Sequence, residues 1–169
     1  MGKKSRKKIE KRQMLEQGEF WHYTTSNEFV SISKNGTLVT NTLTDDDKFG
    51  AVWLSSNPLI EKSVMRLVDL PDGKKSDPME LFEAFKYGII PMRIKIKVGD
   101  LKITPWDKFC KRRIIPDDAI LALNEISKRV GSKLSEWFAV FENITVLNWQ
   151  SVDVWDGNMW ISYKLELKG

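Results

Sequence analysis

Cysteine and histidine are nearly missing from this chain: Cys110 and His22 are the sole residues of their kinds among 169. One cysteine excludes an internal disulfide framework and a thiolate zinc cluster, and it suits a reducing compartment. A lone histidine weakens the case for a metal site further, so none is expected. Long apolar runs are missing as well. No stretch approaches the roughly 20 apolar residues of a membrane-spanning helix, and the charged N-terminus lacks the apolar core of a secretory signal. A cytoplasmic protein with no membrane partner is expected.

What is present makes one domain. Hydrophobic residues make up 41% of the chain, and its length falls within the roughly 100–200 residues of a single core. Positive charge is uneven. The net charge is +4, and Lys3-Lys4-Ser5-Arg6-Lys7-Lys8 with Lys11-Arg12 puts seven basic residues at one end. Residues 1–18 therefore read as a basic tail, a solvated arm or a contact for nucleic acid, and 19–169 as a single domain, expected to be monomeric.

The order of patterns predicts an α+β fold. Glu19 to Tyr23 is short and aromatic, as a strand would be. Thr25-Ser26-Asn27-Glu28 is a capping box opening a helix that Gly36 stops. Thr40 to Lys48 reads as a polar loop and Ala51 to Leu54 as a strand, after which Asn57-Pro58 opens a second helix through Val68. A turn-rich loop follows over Leu70 to Pro78. From Ile90 to Val98, Met92, Ile94, Ile96 and Val98 alternate with Arg93, Lys95 and Lys97, which predicts a strand with one buried and one wet, basic face. Pro116-Asp117-Asp118 starts a helix that Gly131 ends. Trp137–Phe141, Ile144–Leu147, Val152–Trp155 and Met159–Leu167 then read as successive antiparallel strands.

Four of these segments carry a resemblance. They are the aromatic-flanked His22-Tyr23-Thr24, the helix closed by Gly36-Thr37-Leu38, Gly50-Ala51-Val52-Trp53-Leu54-Ser55-Ser56 running into Asn57-Pro58, and the late Glu136-Trp137-Phe138-Ala139-Val140. In that order they resemble the ADP-ribosyltransferase fold, its diphtheria-toxin-like branch above all, over residues 19 to 150. The resemblance implies split antiparallel β-sheets with flanking helices, and transfer of ADP-ribose from NAD to a macromolecular acceptor, protein or nucleic acid, with release of nicotinamide. It implies that Glu136 is the catalytic carboxylate. It further implies that His22, Tyr23, Thr24, Trp53, Ser55 and Ser56 bind NAD: His22 on the ribose, backbone groups at His22 and Tyr23 on the nicotinamide amide, Trp53 on the ring. A bacterial or phage effector would suit such a design.

The chemistry accounts for these residue types. Breaking the nicotinamide–ribose bond builds positive charge on the sugar, which a carboxylate stabilises, and aromatic faces hold the flat ring in place. The chain also departs from the pattern. Val64 and Met65 stand where the branch carries a second stacking aromatic, Ser55-Ser56 is closer to another branch, and Leu134 replaces the extra acid of arginine-specific enzymes. Each residue has a plainer role beside the functional one. Trp53 is a core candidate, Ser55 and Ser56 are helix caps, Thr24 is a cap or turn residue, and Glu61 and Glu142 rival Glu136. Three other functions stay open: NAD hydrolysis without an acceptor, an RNA 2′-phosphotransferase using arginines, or a non-catalytic nucleic-acid module built on the tail and Lys111-Arg112-Arg113.

Overall fold

The structure is a computed structural model, and it describes residues 18–41, 50–62, 70, 72–74, 76–77, 79–113 and 115–165, Arg113 by its backbone only. The first helix forms as its sequence dictates. Thr25 caps α1 (Ser26–Asn35): its hydroxyl accepts from the Glu28 N–H while the Glu28 carboxylate accepts from the Thr25 N–H. Gly36 ends α1 in the left-handed conformation at φ 60°.

The strands flank this helix in sequence and sort by alternation. They are β1 (Phe20–Thr25), β2 (Thr37–Leu38), β3 (Val52–Ser55), β4 (Pro91–Ile96), β5 (Thr104–Pro105), β6 (Trp137–Val140), β7 (Ile144–Thr145), β8 (Trp149–Trp155) and β9 (Trp160–Ser162). Seven of them make one sheet in the order β5-β6-β3-β1-β4-β8-β9, and β2 pairs with β7 in a small second sheet. Every recorded pair is antiparallel. The α+β class is thus observed. Three further helices are α2 (Leu81–Ala84), α3 (Trp106–Arg113) and α4 (Asp117–Val130), the last closed by Gly131. No helix among the described residues is long and apolar enough to cross a membrane.

Side chains alternate across the large sheet and build a core on each face. Phe20, Leu54, Ile94, Phe138 and Val152 meet Phe29 of α1 and Leu38 and Ile144 of the small sheet. On the other face, Trp53, Trp137 and Ala139 pack on Trp106 and Phe109 of α3, while Trp21 and Tyr23 pack on Leu81, Phe82 and Trp160.

Three expectations meet a different outcome. Of the successive C-terminal strands only β8 and β9 lie side by side: β6 pairs with β3 and β5, β7 with β2, and β8 with β4 as well as β9. The basic face of β4 is wet only at Lys97, past the end of the strand: Arg93 and Lys95 are half-buried on an interior strand, beside Trp21, Tyr23 and Asp153. The Arg93 guanidinium lies 4.6 Å from the centre of the Trp160 ring and 5.8 Å from that of Trp21. It also pairs with Asp153 at 2.7 Å. Residues 57–62 are not helical; the rest of the predicted second helix, 63–69, lies outside the described residues. So do most of the loop predicted over Thr40 to Lys48 and the tail before Gly18.

Candidate functional site

The site forms where the large sheet comes apart. β1 and β3 pair at Trp21↔Ser55, and in the same register Tyr23 would next face Trp53. That pair does not form. The Trp53 carbonyl instead accepts a hydrogen bond from His22 Nδ1 at 2.9 Å. A carbonyl only accepts, so Nδ1 carries the proton in this contact. In an antiparallel strand the N–H and C=O of one residue point the same way. The Trp53 N–H therefore faces the opening too, as do the backbone groups that Tyr23 would have paired with it.

A cavity of about 740 Å³ passes through this opening, within the usual range for small-molecule sites. One end is bounded by Glu28, Ser31, Ile32 and Asn35 of α1 and by residues 37–41. The middle is walled by His22, Tyr23 and Thr24 on one strand and Val52, Trp53, Leu54 and Ser55 on the other. Glu61, Trp106, Leu123 and Trp137 close the far end.

Five of the residues singled out by sequence meet here: His22, Tyr23, Thr24, Trp53 and Ser55. Their surroundings differ. The Tyr23 hydroxyl donates to the Asn57 carbonyl at 2.5 Å. Burial raises its pKa, partly opposed by the nearby Arg93, so the hydroxyl keeps its proton. The Thr24 hydroxyl donates to the Glu28 carboxylate at 2.9 Å and so shares in the cap of α1. Trp53 also belongs to an aromatic cluster, edge-on to Phe109 at 4.7 Å, which fixes its ring against α3.

Ser56 and Glu136 sit beside the cavity and are not among its lining residues. The Ser56 N–H donates to the Glu136 carbonyl at 3.0 Å, continuing the β3–β6 ladder. The Glu136 side chain, 24% exposed, accepts from Asn57 Nδ2 at 3.1 Å and lies 3.5 Å from Lys133 Nζ.

A polar network that local sequence patterns do not announce links these groups. Ser55, 2% exposed, donates through Oγ to Glu61 Oε2 at 2.9 Å and accepts from the Asn57 N–H at 3.1 Å. Ser132 Oγ donates to Glu61 Oε1 at 2.5 Å and accepts from Trp137 Nε1 at 2.9 Å. Asn57 reads in sequence as a helix cap, and its side chain does accept from the Leu59 N–H at 3.0 Å in a local turn. Its contacts to Tyr23 and Glu136 depend on segments 34 and 79 positions away in the chain. Ser132 follows a helix-ending glycine and reads as a turn residue. Among the described residues, no group of three or more His, Cys, Asp or Glu gathers in a metal-binding arrangement.

Set against protein-family models, curated proteins and solved structures, the chain matches none of them significantly.

Proposed function

We propose that the cavity takes the nicotinamide end of NAD and that the protein transfers ADP-ribose to a macromolecular acceptor. The observation that carries this reading is the open ladder between β1 and β3. Backbone donors and acceptors at Tyr23 and Trp53 border a cavity at a point where a regular sheet would have used them on each other. A planar carboxamide offers both a donor and an acceptor, and it suits such an edge. Trp53 supplies an aromatic wall for the ring, and His22 stands beside it with Nδ1 held by the Trp53 carbonyl. The strand order supports the same reading: β6, β3 and β1, which carry three of the four resembling segments from distant parts of the chain, are consecutive neighbours. A large and a small antiparallel sheet with flanking helices support it as well.

In this reaction the bond from the ribose anomeric carbon to the nicotinamide nitrogen breaks, and its electron pair leaves with the ring. A lone pair of the acceptor forms the new bond, and the acceptor's proton passes to solvent. The residues around the opening hold the ring and sugar so that this carbon is presented to the acceptor. The phosphotransferase alternative calls for arginines at a phosphate. Of the candidates Arg66, Arg93, Arg112 and Arg113, Arg93 is committed to Asp153 and the Pro58 carbonyl, and neither it nor Arg112 lines the cavity, while Arg66 and the Arg113 side chain lie outside the described residues.

Calorimetry with NAD tests the proposal. Binding is expected, and His22→Ala should weaken it by about 1–3 kcal/mol through loss of buried hydrogen bonds. No binding at millimolar NAD by folded protein would overturn it.

A further inference from the structure

We infer that Glu61 is the carboxylate that faces the sugar in this site and that Glu136 is a positioning residue acting through Asn57; the inference rests on the NAD reading above. A group that stabilises charge on the ribose must reach the ligand, and so must line the space that holds it. Glu61 lines the cavity; Glu136 does not. Glu28 lines it too, but a single oxygen, Oε2, accepts from the Thr24 hydroxyl and from both the N–H and the hydroxyl of Thr25, the work of a helix cap.

The bonds around Glu61 have a direction. The Trp137 indole N–H donates to Ser132, which donates to Oε1; the Asn57 N–H donates to Ser55, which donates to Oε2. Two relays of donors thus converge on one carboxylate that is 6% exposed. Each nitrogen can only donate, so it turns the proton of its serine toward Glu61, and aligned hydrogen bonds reinforce one another. The carboxylate is therefore oriented before a ligand arrives, which is what electrostatic stabilisation of a developing charge requires. Glu136 grips the side chain of the same Asn57 whose N–H feeds Ser55. It acts on the sugar-facing group at one remove.

The test compares variants of the full chain by nicotinamide release, by calorimetry with NAD and by melting temperature. Glu61→Gln should lower kcat by about 100-fold with NAD affinity changed by less than about threefold. Ser132→Ala, which leaves Glu61 in place but loosens it, should lower kcat by about tenfold. Glu136→Ala should lose activity and Glu136→Gln recover most of it, because the amide oxygen still accepts from Asn57 Nδ2. Wild-type kcat in Glu61→Gln, or failure of Glu136→Gln to recover what Glu136→Ala loses, overturns the inference. Should Glu61→Gln not fold, unchanged kcat in Ser132→Ala does so instead. A wild-type chain that binds no NAD overturns the function itself, and calorimetry shows that separately from any variant.

Discussion

At the scale of single residues, the environment decides what a charged or polar side chain does. Arg93 is 15% exposed and its partner Asp153 16%, and the guanidinium lies between two indole rings. An arginine suits that position because its flat, weakly hydrated head stacks on aromatic faces while its edge holds a carboxylate. Arg93→Lys should therefore destabilise the fold by about 1–2 kcal/mol although the charge is kept, measurable by urea denaturation. The two serines of the site are equally specific. Ser55→Ala removes a donor from buried Glu61 and an acceptor from the Asn57 N–H, and should cost about 1–3 kcal/mol. An unchanged midpoint would show that the Ser55–Glu61 bond contributes nothing.

At the scale of elements, termini and turns hold the pieces in register. The Asp156 carboxylate accepts from the N–H groups of Asn158 and Met159 in the turn that joins β8 to β9. These bonds lower its pKa. A lowered folded pKa means stability that is present above the unfolded value and lost as the pH falls through the folded one. Protection factors for amide exchange along Trp160–Ser162 should therefore fall below about pH 4, near the ordinary aspartate pKa, before those of the β1–β4 pairs. Gly157 in the same turn has φ 101°, and an added Cβ would come within 3.0 Å of Phe85 Cε1. At Gly36, with φ 60°, the nearest atom would be Val146 Cγ1 at 3.8 Å. Gly36→Ala should cost about 1–2 kcal/mol from backbone conformation alone, and Gly157→Ala more, a ranking that thermal melts can check.

At the scale of the whole molecule, the large sheet joins segments distant in sequence: Trp53 pairs with Ala139 and Arg93 with Asp153. Such pairings close long loops before they contribute, so refolding followed by tryptophan fluorescence should take milliseconds to seconds, slower than a helical bundle of this size. The tail belongs to this scale as well. Seven basic residues between Lys3 and Arg12 would be costly to bury. Deleting residues 2–12, which lie outside the described residues, should leave melting temperature and NAD affinity nearly unchanged. Any contact of the full-length chain with RNA or DNA should weaken steeply as salt rises.

The sequence by itself determined the elements whose causes are local. A capping box, a left-handed glycine and a run of alternating apolar residues each act within a few positions, so α1, β4 and the end of α4 were legible, as was the grouping of His22, Trp53 and Ser55 by motif. Only the tertiary structure decided which strands meet. It put β6 against β3 rather than beside β8, covered Arg93 with Trp21 and Trp160, and carried Ser132 to Glu61 across 71 positions of sequence. The opening between β1 and β3 belongs to this second kind. Local propensity makes two good strands there; whether they pair depends on the imidazole that takes the Trp53 carbonyl and on the clusters that hold Tyr23 and Trp53 to different supports. Periodicity records which face of an element is apolar, but the partner of that face is set by the packing of the entire chain.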